Sequence, residues 1–220
     1  MAQTKGILYL LLTPGDNVIP GDCFSWFDSK CPKKLVGILG AARYAAIDDK
    51  KPEYLAVYEL KHLEHFDLSQ VIKAASPPAN LELVDFRVYS QFSEKISPNY
   101  ASAPDDRIFR TLALQPAPDL SADDYNEWYE QDHVPLLSLS PGWLKSTRWT
   151  LKEDVLFRYG SVQKDRKLCN YLAIHEYESM ASFETPEFKR AITSPWRAKV
   201  MPKIENIVDE RRNFKPLKII

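Results

Sequence analysis

The 220-residue chain carries a formal net charge of -1, with 45% hydrophobic and 27% charged residues. That balance excludes a polybasic binder of nucleic acid or membrane surface, and the longest apolar run, Ile7 to Leu12, is far too short to span a bilayer. The three cysteines (Cys23, Cys31 and Cys169) are odd in number, form no CxxC pair and follow no signal-peptide core, so free thiols and a cytoplasmic setting are expected.

In chain order, Ile7 to Leu12 reads as a buried strand closed by the Thr13-Pro14 turn. Trp26-Phe27-Asp28 falls on the helix after it, Arg43-Tyr44 on a second strand and Glu53 to Glu59 on a third. His62 and His65 stand three apart at a helix start. With no third ligand near in sequence, the pair does not make a metal site. Val84 to Arg87 lies on the fourth strand, and Ser97 to Pro104 is a polar, proline-bounded linker.

Ile108 to Leu114 opens a second series of elements. Ser121 is a helix N-cap followed by Asp123 and Asp124, whose charge suits the positive end of a helix dipole. The helix is expected to run to about Leu139, where Pro141-Gly142 stops it. Strands follow over Trp143 to Leu151 and Asn170 to Tyr177, with an insertion between Leu151 and Cys169. Ser182 to Ile207 is mostly helical with breaks near Pro195 and Pro202, and Val208 to Phe214 is the last strand.

The two series match in order. Trp26-Phe27-Asp28 pairs with Trp128-Tyr129-Glu130, Arg43-Tyr44 with Arg148-Trp149, Tyr54-Leu55-Ala56-Val57 with Tyr171-Leu172-Ala173-Ile174, and Phe66 with Phe183. The expected fold class is therefore α+β: two ferredoxin-like β-α-β-β-α-β repeats. Residues 1–96 would form the first repeat, 97–106 the linker and 107–220 the second. Each sheet would carry helices on one face only, so the bare faces are expected to pair within the chain as an α/β barrel. A further homodimer is compatible with this reading.

On the helix of the second repeat, Tyr125, Trp128, Tyr129, Asp132, His133 and Leu136 share one stripe. A histidine at the edge of an aromatic surface can serve as general acid or base. Packing alone is the plainer explanation, but Pro135 removes a backbone donor in mid-helix, and His175 lies on the third strand with Tyr171, Ala173 and Tyr177 on its face. The first repeat has Lys30-Cys31 opposite Asp132-His133 and Tyr58 opposite His175, so chemistry is expected in the second repeat. Cys31 has no histidine near it in sequence to activate it. Arg43 and Arg148 are either anchors for an anionic or phenolate substrate or members of surface ion pairs.

The run Asn126-Glu127-Trp128-Tyr129-Glu130-Gln131-Asp132-His133-Val134-Pro135-Leu136-Leu137, with Pro141-Gly142-Trp143-Leu144 and Arg148-Trp149, resembles the EthD-like branch of the dimeric α/β-barrel superfamily. Lys51 to Leu60, Thr185-Pro186-Glu187-Phe188 and Ser194-Pro195-Trp196-Arg197 extend the likeness over most of the chain. The first copy departs from it, with no acidic-His pair and Val36-Gly37 in place of Pro141-Gly142. The resemblance implies cofactor-free lyase, decarboxylase, cyclase or isomerase chemistry on a small hydrophobic, aromatic or polyketide-like molecule of secondary metabolism. A cofactor-free oxygenase and a non-catalytic binding protein are the alternatives. No nucleotide, flavin or haem motif is present, and neither metal, nucleic acid nor membrane is expected as a partner. The expected site comprises His133, Asp132 and His175 for catalysis, with Tyr125, Trp128, Tyr129, Trp143, Arg148 and Tyr171 holding substrate.

Overall fold

The computed structural model describes residues 4–19, 22–31, 37–205 and 210–217. Val36, set against Pro141 above, and Val208 and Asp209, expected to open the last strand, lie outside them. The described chain runs β1 (Gly6–Pro14), α1 (Ser25–Lys30), β2 (Ile38–Ala46), β3 (Tyr54–Leu60), α2 (Leu68–Ala75), β4 (Leu81–Ile96) and β5 (Ile108–Leu114). It continues α3 (Ala122–Trp128), α4 (Val134–Leu137), β6 (Trp143–Arg158), β7 (Ser161–Gln163), β8 (Tyr171–Tyr177), α5 (Pro186–Ile192), α6 (Pro195–Val200) and β9 (Arg211–Pro216). The class is α+β with antiparallel pairing. No described helix is long and apolar enough to cross a membrane.

Two compact units divide the chain. One comprises 1–91, 150–166 and 217–220, the other 92–149 and 167–216. The division differs from the expected 1–96 and 107–220 chiefly in the stretch 150–166. The insertion expected after Leu151 is instead the outer part of β6, which turns into β7. Its Val155 and Phe157 pack on the core of the first unit, while the intervening Lys152, Glu153 and Asp154 hide the two-residue alternation that marks a strand. The expected linker carries a short 3-10 turn at Tyr100–Ser102.

In the first unit the strand order is β4-β1-β3-β2. Leu8 lies opposite both Tyr58 and Val88 in register. Leu8, Leu10 and Leu12 pack with Phe24, Phe27, Val71 and Phe86 beneath α1 and α2. Ile7, Tyr9, Leu11 and Thr13 on the alternate face are buried as well, which is why β1 is a continuous apolar run rather than an alternating one. On that alternate face Asp85 and Arg87 are buried as a pair, with Arg87 Nη2 2.8 Å from the carboxylate. Arg166 joins them, 2.7 Å from Asp85 and 2.6 Å from Asp154.

In the second unit the order is β9-β5-β8-β6. Ile108 pairs with Tyr177 and Leu114 with Tyr171 on one side of β5, and Phe109 with Phe214 on the other. The single continuous helix expected after Ser121 is broken. Between α3 and α4, Tyr129–His133 forms a π-helical turn. The cause is Pro135, which cannot donate to the carbonyl four residues back and whose ring crowds it. A wider turn relieves both, and such turns recur at functional sites.

Gly142 follows this segment at φ +77°, and a Cβ built there would stand 2.5 Å from Ser182 Oγ. Gly142→Ala is therefore expected to cost about 1–3 kcal/mol through left-handed strain and crowding. A lowered urea midpoint at unchanged slope would show it; an unchanged midpoint would mean the turn relaxes freely.

Candidate functional site

Ser121 sets the start of α3 by accepting from the Asp124 N–H at 3.0 Å. Tyr125 and Trp128 then point into the second unit's core with Val134, Ala173 and Val200. The π turn carries His133 onto the same buried side. Its ring stacks on Trp128 at 4.9 Å and 25° and meets the edge of Tyr129 at 5.2 Å. Across from it, β8 presents His175, with the two imidazole centroids 6.5 Å apart. His175 Nδ1 lies 2.7 Å from Ser146 Oγ, which also accepts from Trp143 Nε1 at 3.0 Å. In the tautomer where Ser146 donates to Nδ1, His175 carries its proton on Nε2.

His133 and His175 line a cavity of about 90 Å³ with Tyr177, Arg110, Arg197 and Arg211, its apolar remainder coming from Leu112, Leu137, Phe188 and Ile192. No carboxylate is among these described lining residues. His133 Nδ1, His175 Nε2 and the Tyr177 hydroxyl are buried without a hydrogen-bond partner among the described residues. Buried polar atoms in that state each cost about 1–3 kcal/mol, so three on one cavity point to a ligand-facing surface.

The electrostatics follow from burial and the arginines. Desolvation pushes His133 down to about 3, and Arg197 and Arg148 push the same way, opposed by a backbone hydrogen bond to Ala191. Desolvation, then His133, Arg110 and Arg148, hold His175 well below the usual imidazole range. Burial raises the Tyr177 phenol. Near pH 7 the site is two neutral imidazoles and a neutral phenol in a field of guanidinium charge.

The other expected residues stand elsewhere. Asp132 does not meet His133; its carboxylate accepts from Ser194 Oγ at 2.6 Å, the residue that caps α6. Tyr125, Trp128 and Tyr129 form the aromatic wall behind His133 rather than the cavity lining. Tyr171 packs on Tyr125 at 4.8 Å, and Trp143 supports His175 through Ser146. Arg148 is buried with its guanidinium 4.1 Å from the Tyr129 ring centre and 4.7 Å from that of Phe92. It also donates to Glu130 at 2.9 Å and Asn126 at 2.7 Å. Arg148 is thus held within the wall, and the cations on the cavity are Arg110, Arg197 and Arg211. Arg110 had a visible signal, a charge in the apolar strand Ile108 to Leu114. Tyr177 had one too, sharing a strand face with His175.

In the first unit, Cys31 follows the last residue of α1. Its thiol is buried, donates to the Val71 carbonyl at 3.6 Å and is raised by burial, so it is not a thiolate. Tyr58 is pushed up to about 12 chiefly by burial. His62 and His65 line a separate cavity of about 330 Å³ with Lys30, Cys31 and Asp67. Among the described residues no group of three or more His, Cys, Asp or Glu could hold a metal.

No family model matches the sequence, and no curated protein does. Solved structures do. An anthrone oxidase-like protein superposes with TM-score 0.62 at 10% identity, over 98% of this chain and 92% of the other. A candidate monooxygenase from Fusobacterium nucleatum subsp. nucleatum superposes with TM-score 0.60 at 14% identity, over 99% and 94%. Chlorite dismutase from Candidatus Nitrospira defluvii gives TM-score 0.61 at 9% identity, over 97% and 91%. The chain has the dimeric α/β-barrel fold. At such identities the likeness concerns the α/β-barrel fold alone, and chemistry has to be argued from the cavity.

Proposed function

We propose that the chain is a cofactor-independent acid–base enzyme whose reaction takes place beside His133 and His175. One observation carries this reading: two buried, neutral imidazoles and a buried phenol share one small cavity and leave hydrogen-bonding atoms unpartnered on it. His133 moves a proton from or to the substrate. His175, donating through Nε2, stabilises a developing oxyanion, with Tyr177 as second donor in place of the expected Tyr171. Asp132 acts at one remove, through Ser194 and the α6 cap that places Arg197. Such a set suits dehydration, decarboxylation, cyclisation or isomerisation of a small aromatic or polyketide-like molecule. A volume of about 90 Å³ is below the 150 Å³ that admits benzene in an engineered cavity, so only the reacting end of that molecule enters.

The same reading makes the chain an EthD-like cytoplasmic protein that arose by tandem duplication, with two ferredoxin-like repeats paired within one chain. The strand orders β4-β1-β3-β2 and β9-β5-β8-β6 support the duplication, because they are one order written twice.

The names of the structural neighbours, anthrone oxidase-like and monooxygenase, favour a second reading as a cofactor-free oxygenase of an aromatic substrate. The deciding experiment incubates purified protein with a host metabolite extract and follows both compounds and dissolved oxygen. Consumption of one compound without oxygen uptake supports the lyase reading, and matched oxygen uptake the oxygenase. A compound bound and recovered unchanged would make the chain a binding protein and sink both.

A further inference from the structure

We infer that the cavity beside His133 and His175 is a receptor for a small carboxylate or enolate group, and that Arg197 and Arg110 are the residues that recognise it. The inference rests on the reading above and names its substrate class. Three guanidinium side chains (Arg110, Arg197 and Arg211) border one cavity of about 90 Å³, with no carboxylate among its described lining residues. Arg197 is half-buried, and its Nη1 is anchored on the Ile192 carbonyl at 2.7 Å. Arg110 is anchored by Asn213 at 2.8 Å and lies over the Phe183 ring at 4.8 Å. Both forks are thus held in place before any ligand arrives, which is what planar recognition of two oxygens requires.

Other ligand classes fit less well. A metal ion bound between the two imidazoles would meet like charge from three arginines and no anionic ligand. A neutral apolar group would leave His133 Nδ1, His175 Nε2 and the Tyr177 hydroxyl still unsatisfied. A small oxyanion satisfies the two donors, His175 Nε2 and the Tyr177 hydroxyl, neutralises the field, and leaves His133 Nδ1 as the accepting nitrogen.

The charge also answers a difficulty in the chemistry. An imidazole held down to about 3 is a poor base near pH 7. An anion placed between His133 and Arg197 cancels the repulsion that contributes to the shift. Substrate binding thereby raises the basicity of the group that acts on it.

The test uses acetate and acetamide, matched in shape and different in charge, at constant ionic strength. Binding is followed by calorimetry and by the ring ¹⁵N signals of His133 and His175, which an ion on the protein surface does not move. Acetate should bind saturably, shift both rings and bind at least about tenfold tighter than acetamide. Arg197→Met should weaken acetate at least about tenfold and leave acetamide unchanged, while Arg197→Lys, which keeps the charge, should lose less. Arg110→Met should act in the same direction, which guards against one variant failing to fold.

Equal binding of the two probes, unmoved ring signals, or acetate binding unaffected by both arginine replacements would overturn the inference. His133→Gln keeps both guanidiniums and should still bind acetate. Acetate binding that persists while His133→Gln leaves turnover intact would sink the catalytic reading alone. Loss of turnover in His133→Gln without acetate binding to the parent protein would sink the receptor alone.

Discussion

Replacing His133 with glutamine should lower turnover of the compound found in the metabolite experiment by about 10²- to 10⁴-fold, the usual loss of a general acid or base. Glutamine is the better choice than alanine, because the imidazole stacks on Trp128 in a buried site and truncation would leave a void there. Far-UV circular dichroism should be unchanged. A second readout tests the environment independently of any substrate. A buried histidine held down to about 3 stays neutral in the folded chain while the unfolded chain, with an ordinary imidazole, takes up protons. Stability contributed by the neutral group is therefore present above about pH 6.5 and is lost as pH falls below it. Between pH 7 and pH 5, His133 alone should account for about 2 kcal/mol of lost stability, and His175 adds to it in the same direction. Urea denaturation at the two pH values measures this. His133→Gln should remove its share of the slope. Retained turnover in a folded His133→Gln protein would end the mechanism, and an unchanged slope would show that the ring is not buried neutral.

Asp85→Ala should destabilise the chain by about 3–5 kcal/mol, the usual result of stripping one partner from a buried ion pair. The carboxylate stands between Arg87 at 2.8 Å and Arg166 at 2.7 Å, so its loss removes the anion that a buried and a half-buried guanidinium share. Replacement of the whole buried pair by apolar residues is expected to cost far less, because no charge is then left uncompensated. Burial pushes the Asp85 carboxyl up, but Arg87 and Arg166 outweigh it and hold it below the usual range. Its stability is thus present above about pH 3.8 and is lost only as pH falls through the lowered value, a window well separated from that of the histidines. Arg166 also binds Asp154, so the variant should loosen the 150–166 segment. Limited proteolysis near Tyr159 and Asp165 is the measurement, and both residues already have positive φ. A wild-type denaturation midpoint together with a wild-type digest would show that the network contributes nothing.

Much of the fold was legible in the chain because local chemistry repeats. Prolines and glycines marked the turns, Ser121 marked the start of α3, and the apolar runs Tyr54 to Val57 and Tyr171 to Ile174 marked β3 and β8. The motif from Asn126 to Leu137 located His133, and the two-residue period of β8 put His175 on the same side as Tyr177. Those are statements about which face a residue occupies, and sequence periodicity determines faces. What stands opposite a face depends on contacts far apart in the chain. Arg148 had the right position for an anchor, yet Tyr129, Phe92 and Glu130 claim it, and its planar cation is better placed among aromatic rings than at the cavity. Asp132 adjoins His133 in sequence but meets Ser194 in space, because consecutive side chains on a helical turn do not face each other. The convergence of Arg110, Arg197 and Arg211, from β5, α6 and β9, has no local signature at all. The sequence by itself determined an α+β chain that carries His133 and His175 in its second half. Only the tertiary structure decided which charges share the cavity, since the burial that chiefly lowers the His133 imidazole to about 3, and the arginine charges that add to it, come from neighbours that packing, not order along the chain, brings together.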